Sequence, residues 1–356
     1  MPRAILYVSL HIVALSPDIL KSFMEIKAQN VKQIQIKSKL RAFLALGLGV
    51  LMSACQNDAT VNERVLEARK RNDAPPIWVV EDVDSKLYLY GTVHLLPPEL
   101  SWQHDDMREV FNSAGTVFFE VPGDDAAKLK ASVLTSSLGF YKDGQRLSDR
   151  LDSYQLKLLE AAANNGDIDL RVLDSMKPWL ASELLNVSAA TQDGLSAEIS
   201  ADEALKSRAK RLQKNIRYLD TIESQLRLSA DQPEFVQMTL LTEALAGFNK
   251  LGPDARKVAQ AWATGNAPFL TRNVIKAAEV KSPDMYRALF IDRNIKWTQQ
   301  LLPFMEGSGT GFVAVGIGHL LGEHSLQIQF QQQGYVVKRY RAFQGDPVIR
   351  PVFIPE

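Results

Sequence analysis

The sequence lacks most of the short motifs by which enzyme families are recognised. Its 356 residues include a single cysteine, Cys55, so the fold cannot depend on an intramolecular disulfide. The absence of HExxH excludes a standard zincin, and the absence of GxSxG leaves a serine nucleophile without support. No Walker or GxGxxG loop occurs, so nothing indicates a nucleotide phosphate site.

The sequence also lacks an excess of charge. It has 41 basic and 41 acidic residues and is 46% hydrophobic, which is an ordinary globular composition. A nucleic-acid partner is not expected, because no basic patch is visible. The length allows one large domain or two modest ones, and the sequence does not indicate an oligomeric state.

Residues 1–54 have the character of a secretory signal. Basic residues at positions 37–41 precede the apolar run 42–52, which is too short to span a membrane, and small residues lead to Cys55. This junction resembles a bacterial lipoprotein signal, which implies that Cys55 carries a lipid. An uncleaved anchor or a buried thiol is the alternative. Met24 is a plausible true start, since residues 24–55 alone make a signal of normal length.

The lipoprotein resemblance also implies a location. Asn57 lies two residues after Cys55, and an aspartate at this position would favour retention in the inner membrane. Because the residue is asparagine, we expect a lipid-anchored protein of the outer membrane that faces the periplasm. Residues 55–75 are polar and end in prolines, which indicates a tether between the lipid and the folded domain.

Two strand-like runs each end in a GxxH sequence. Leu87–Tyr90 leads into Gly91-Thr92-Val93-His94, and Phe312–Val315 leads into Gly316-Ile317-Gly318-His319. Short apolar runs of this kind are typical of strands buried on both faces. Ligands of open α/β sheets collect at the carboxyl ends of such strands, so the two histidines are candidate site residues.

The remaining pattern predicts an α/β domain over residues 76–342, followed by a tail over 343–356. Its central mixed sheet is built from N- and C-terminal strands, and a large helical insertion covers about 124–310. Glu120 closes a strand at 116–121, and a further short strand at 216–219 would place Glu223 near the sheet edge. Separate helices are predicted at 233–248 and 253–264, and a strand–helix–strand unit closes the domain.

These pieces together resemble the TraB/PrgY/GumN family, which is related to the Tiki proteins. The matching stretches, in chain order, are Leu87–Pro98, Val117–Val121, Lys177-Pro178-Trp179, Asp292-Arg293-Asn294 with Trp297, and Phe312–Leu320. The resemblance implies an α/β core shared with erythromycin-esterase-like and ChaN-like proteins. It also implies hydrolase activity, because Tiki members are described as metal-dependent proteases that use the two GxxH histidines and a glutamate. Some bacterial members are linked to the shutdown of peptide pheromones.

The residue chemistry allows such a centre. Two neutral imidazoles and one carboxylate, from His94, His319 and Glu120, would bind a divalent ion such as Mn, Co or Zn. The ion would lower the pKa of its water and so make a nucleophile. Glu223 could be a further ligand or the general base, and Arg293 could hold a peptide carboxylate or stabilise an oxyanion.

Other interpretations remain open at this stage. The histidines could cap turns and have a purely structural role. A metal-free hydrolase could use His94 or His319 to activate water directly. A third alternative is a non-catalytic lipoprotein that binds a peptide or a cofactor in the same crevice.

Overall fold

The computed structural model of the protein describes residues 74–340. The predicted signal region, Cys55, nearly all of the tether and the tail at 343–356 lie outside these residues. Within the described part, no helix has both the length and the apolar character needed to cross a membrane.

A six-stranded mixed sheet forms the centre of the domain. Its strands in chain order are β1 (Ile77–Glu81), β2 (Ser85–Thr92), β3 (Thr116–Phe119), β4 (Asn215–Tyr218), β5 (Gly309–Gly316) and β6 (Val336–Arg339). Their order across the sheet is β4-β3-β5-β2-β1-β6. The neighbours β4, β3, β5 and β2 are parallel, whereas β1 runs antiparallel to both β2 and β6. Strands from both chain ends thus build one sheet, which confirms the predicted fold class.

The central strands are buried because elements cover both faces of the sheet. Leu87, Leu89 and Tyr90 of β2 and residues 312–315 of β5 have no exposed surface. Such strands lack the polar alternation of a half-exposed strand, which is why their sequences read as continuous apolar runs. The last strand–helix–strand unit consists of β5, the helix after it and β6. The strands β5 and β6 run in the same direction, but they are not neighbours, because β1 and β2 lie between them in the sheet.

Thirteen α-helices flank the sheet or form the insertion among the described residues. They are α1 (Asp105–Ser113), α2 (Asp125–Gly139), α3 (Ser153–Asn165), α4 (Leu170–Asp174), α5 (Pro178–Gln192), α6 (Ala201–Arg211), α7 (Ile222–Ala230), α8 (Glu234–Ala263), α9 (Ala267–Leu270), α10 (Ala277–Lys281), α11 (Pro283–Tyr286), α12 (Asp292–Met305) and α13 (Leu326–Gln332).

Helix α8 corrects one prediction. We expected two helices separated near Pro253, but the helix continues through this proline from Glu234 to Ala263. It packs along α5, and an ideal Cβ on Gly252 would lie only 2.5 Å from the carbonyl oxygen of Ala189. This close packing along α5 accounts for the continuity, because tertiary contacts can override the helix-breaking tendency of proline.

The domain has two hydrophobic cores, one around the sheet and one within the insertion. Val93 and Phe119 belong to the core of the sheet. Leu95 and Val121 belong to the core of the insertion. The residues between them in sequence, His94 and Glu120, therefore lie at the boundary between the two cores.

Candidate functional site

Four neighbouring parallel strands deliver polar side chains to one edge of the sheet. His94 follows β2, His319 follows β5 in a short 3-10 turn, Glu120 follows β3 and Asp220 follows β4. Because parallel strands end at the same edge, residues from distant parts of the sequence meet there. All four side chains are at most 7% exposed.

Gly316 marks the point where three of these side chains converge. An ideal Cβ built on it would lie 3.2 Å from Glu120 Oε1, 3.7 Å from His94 Nε2 and 3.8 Å from His319 Cδ2. The backbone N–H of Gly316 also donates to Glu120 Oε1 at 2.6 Å. Glycine is needed here because a side chain would fill the space between the two imidazoles and the carboxylate.

A buried carboxylate holds one nitrogen of His94. Asp202, in the first turn of α6, accepts a hydrogen bond from His94 Nδ1 at 2.7 Å, and its other oxygen accepts from Thr92 Oγ1 at 2.8 Å. His94 is therefore fixed with its Nδ1 toward the carboxylate. Its Nε2 is buried and has no hydrogen-bond partner among the described residues.

The charge of Asp202 changes the basicity of His94. Burial by itself lowers the pKa of His94, but the adjacent carboxylate and its hydrogen bond outweigh burial and place this pKa above its ordinary value of 6.5. Burial likewise acts to raise the pKa of Asp202, whereas His94 lowers it, and the net pKa lies below its ordinary value. The pair therefore favours an ionised carboxylate beside an imidazole that readily accepts a proton.

Arg293, at the start of α12, connects the other side of the cluster. Its Nη2 donates to Glu120 Oε2 at 2.6 Å and to Gln225 Oε1 at 3.1 Å. Its Nε donates to Asp220 Oδ2 at 3.0 Å, and Nη1 lies 3.2 Å from His319 Nε2. Four of the five N–H donors of the guanidinium are thus used. In this arrangement Arg293 has no pair of parallel donors left for a substrate carboxylate.

Asp220 has further donors besides Arg293. Lys296 Nζ lies 2.5 Å from Asp220 Oδ1, and Trp297 Nε1 donates to Oδ2 at 3.1 Å. The Arg293 guanidinium also lies over the ring of Trp297 at 4.3 Å. These contacts fix the position of the guanidinium and neutralise the buried carboxylate.

The tautomer of His319 follows from its partners. Arginine can only donate, so His319 Nε2 accepts from Arg293 and Nδ1 carries the hydrogen. That Nδ1 lies 2.7 Å from Asn294 Oδ1, and the amide nitrogen of Asn294 donates to the carbonyl oxygen of His324 at 2.7 Å. The ring of Trp297 lies 4.3 Å from the imidazole and restricts its rotation.

Of the five predicted catalytic residues, the structure brings His94, Glu120, His319 and Arg293 together. Glu223 does not contribute to this network: its side chain is 43% exposed and pairs with Arg227, one turn later on α7, at 3.1 Å. The stretch after β4 contributes Asp220 and Gln225 instead. The reason is helical geometry, because Gln225 lies on the buried side of α7 and Glu223 faces solvent beside Arg227.

Sequence reasoning missed the residues that fix the cluster by hydrogen bonds to its histidines and its arginine. Asp202 and Asp220 were not among the predicted site residues, and neither were Gln225 and Asn294. A usable signal existed for Asn294, which lies in the Asp292-Arg293-Asn294 stretch, and for Asp220, which follows a predicted strand. Asp202 lies where the family resemblance has an acidic residue before a helix, but this signal was not used to place it in the site, because acidic residues are common in first helical turns.

The donor set can be compared with what a divalent ion requires. In favour of an ion, Asp202 and Asn294 hold the Nδ1 atoms of the two histidines, as outer-shell groups do for metal ligands. Against it, Arg293 is hydrogen-bonded to two of the three expected ligands, and both oxygens of Glu120 are used. Among residues 74–340, no group of three or more His, Cys, Asp or Glu side chains is arranged to hold a metal ion. The residues as arranged do not fit the expected ion.

The fold and this edge define an α/β protein with a buried histidine–carboxylate–arginine cluster between its sheet and a helical insertion. A family model described as the TraB/PrgY/gumN family matches residues 76–339, which is most of the chain, so the protein belongs to this family. No curated protein and no solved structure matches the chain.

Proposed function

We propose that this protein is a hydrolase in which His94 activates the attacking water. One observation carries the proposal: the buried Nε2 of His94 has no partner among the described residues, while Asp202 holds Nδ1. A histidine oriented in this way by a carboxylate is the usual form of a general base.

The reaction would proceed in two proton transfers. A water gives a proton to His94 Nε2 while its oxygen forms a bond to the substrate carbonyl carbon. The imidazolium then gives this proton to the leaving group as the scissile bond breaks. Arg293 supplies fixed positive charge near the developing oxyanion and has one N–H left to donate to it.

Kinship with the family supports a short or exposed peptide as the substrate. The position of the cluster between the two cores supports a substrate that enters between the sheet and the insertion. We include in the proposal that Cys55 is lipidated and that the domain faces the periplasm from the outer membrane. The support for this location is the sequence around Cys55.

The proposed hydrolase is the metal-free form, although the sequence led us to expect a divalent ion first. The arrangement of Arg293, Glu120 and His319 supports this choice, because the guanidinium uses the lone pairs that an ion would need. Mn, Co or Zn dependence is the outcome that would revise the proposal.

The test is turnover of a fluorescence-quenched peptide library by the purified full chain in the presence of a chelator. We expect cleavage by the wild type and a loss of about 10²- to 10⁴-fold in His94→Gln, the usual contribution of general-base catalysis. His104→Gln, at the start of α1, is the matched control and should retain activity. An inactive wild type that still binds peptides would support the binding-protein alternative.

A further inference from the structure

A buried lysine lies one helical turn beyond the aspartate that holds His94. Lys206 is 6% exposed and follows Asp202 by four positions on α6, so the two side chains leave the same face of the helix with their Cβ atoms about 5–6 Å apart. Its charge acts on both His94 and Asp202. The proposed water activation does not use this lysine, although lysines are rarely buried to this extent unless they are paired.

The ammonium of Lys206 faces the loop that follows β3. An ideal Cβ on Gly123 would lie only 3.0 Å from Lys206 Nζ, so the glycine leaves the room that the ammonium occupies. Nζ has three N–H donors, and its one hydrogen-bond partner among residues 74–340 is Glu203 Oε1 at 3.1 Å. Two donors of a largely buried cation are therefore left for a ligand.

Lys206 differs from the two other cations near the cluster in the kind of partner that it has. Arg293 and Lys296 both pair with Asp220, whose side chain is 3% exposed. The side chain of Glu203 is 37% exposed. Water can solvate Glu203 when another carboxylate takes the ammonium, and a partly exposed ion pair of this kind contributes little to stability. The partner of Lys206 is thus the one that a substrate can replace at low cost.

The surroundings of Lys206 form a partly open rim. Tyr218, at the end of β4, is 40% exposed, and the charge of Glu203 acts on its hydroxyl, so both side chains belong to the same rim. Gly123, in the loop after β3, is half-buried. We therefore expect a substrate that enters over this rim to pass Lys206 before it reaches His94.

We propose that Lys206 binds the C-terminal carboxylate of the substrate, so that the protein acts on free peptide ends and releases the last one or two residues. This inference rests on the proposed hydrolysis at His94, and it gives Lys206 the carboxylate-binding role that the sequence suggested for Arg293. An extended residue spans about 3.3–3.6 Å, so a carboxylate held one helical turn from Asp202 fits one or two residues beyond the scissile carbonyl. The bonds between ammonium and carboxylate are charge-assisted and stronger than neutral hydrogen bonds.

The experiment compares short peptides that differ only at the C-terminus. Tetrapeptide libraries with an N-terminal fluorophore are made as free acids and as carboxamides, and their binding to the purified full chain is measured by fluorescence anisotropy. The chain carries His94→Gln in this measurement, so that cleavage does not consume the peptide. We expect the acids to bind about 10- to 100-fold more tightly than the amides, as a hydrogen bond to a charged group allows. Carboxamides that end in aspartate should bind like the other amides.

The variant Lys206→Met separates carboxylate binding from a structural role. It keeps the apolar stem and removes the ammonium, so the acids should bind as weakly as the amides, whose affinity should not change. Lys210→Met, exposed one turn later on α6, is the matched control and should keep the preference for acids. In turnover of the acids by the chain with His94 intact, Lys206→Met should raise KM and change kcat much less. If Lys206→Met does not fold, Gly123→Ala displaces the ammonium without removing its charge and should weaken acid binding alone.

The proposal would be overturned by acids and amides that bind equally, or by aspartyl amides that bind as tightly as the acids. A folded Lys206→Met that loses affinity for both forms alike would also overturn it, as would a failure of both variants to fold, because the lysine would then serve the structure. A wild type that cleaves no peptide would contradict the proposed hydrolysis instead, and the binding measurement would still decide whether Lys206 takes a carboxylate.

Discussion

Replacing Asp202 by asparagine should slow turnover by about three orders of magnitude while leaving the fold intact. Asparagine keeps the shape of the side chain and can still accept from His94 Nδ1, while its amide group can donate to the Thr92 hydroxyl. What it removes is the negative charge that faces the imidazolium formed during water activation.

The magnitude follows from the geometry. His94 Nδ1 and Asp202 Oδ2 are 2.7 Å apart, and both side chains are buried. Two unit charges about 4 Å apart attract by about 4 kcal/mol at an effective dielectric constant of about 20. A loss of this size from the transition state corresponds to about 10³-fold in kcat, at about 1.4 kcal/mol per factor of ten.

The assay is steady-state cleavage of the fluorescence-quenched peptide library as a function of pH. In the wild type His94 must be neutral to accept a proton, so the rate should fall as the pH drops through a pKa above 6.5. In Asp202→Asn the carboxylate no longer raises this pKa, so the rate should persist to lower pH as well as being smaller. Asp231→Asn, which alters an exposed pair with Arg227, is the control.

The reasoning would be refuted by a folded Asp202→Asn that cleaves at the wild-type rate with an unchanged pH profile. In that case the imidazole would not depend on the carboxylate, and His94 would not be the general base in the manner described.

Three further replacements test the surroundings of the cluster. Gly316→Ala would place a methyl group 3.2 Å from the carboxylate of Glu120 and should reduce kcat by at least about tenfold. Gly247→Ala, on an open part of α8, should leave kcat unchanged. Asp220→Asn should lower the free energy of unfolding in urea by about 3 kcal/mol, because it leaves the buried Arg293 partly unpaired. The control Asp231→Asn alters an exposed ion pair and should change this free energy by less than about 0.5 kcal/mol. Glu223→Gln should leave the cleavage rate within about twofold, since this exposed side chain pairs only with its own helix; a large loss of rate would return Glu223 to the site.

The sheet was predictable because its strands have a strong local signature. β2 and β5 are buried on both faces, and their apolar runs end in glycine where the chain must turn. Once two such strands and the acid after β3 were recognised, the rule for parallel sheets placed His94, His319 and Glu120 at one edge. This part of the site follows from sequence and topology.

The supporting residues were not predictable, because their roles arise only when the insertion packs against the sheet. Asp202 reaches His94 from the first turn of α6, more than a hundred positions away in sequence. Asp220 and Gln225 reach Arg293 from either side of the N-terminus of α7. A single sequence shows acids and amides at these positions but not which of them turn inward. The choice of Glu223 over Asp220 illustrates the difficulty.

The ion was expected because the ligand types were visible in the sequence and their neighbours were not. Two histidines and a glutamate suffice for a metal centre, and Arg293 was expected to bind a peptide carboxylate or to stabilise an oxyanion. Its hydrogen bonds to Glu120 and His319 become visible only in three dimensions. They are the basis of our proposal that the same residues act without a metal ion.

The central claim is that the carboxylate of Asp202 holds His94 so that Nε2 is its proton-accepting atom, and ¹⁵N NMR of histidine-labelled protein tests it directly. With the His94 signal assigned from a His94→Gln spectrum, we expect the neutral ring to carry its hydrogen on Nδ1 and to titrate above pH 6.5. A neutral ring with its hydrogen on Nε2, or a titration below that pH, would contradict the account.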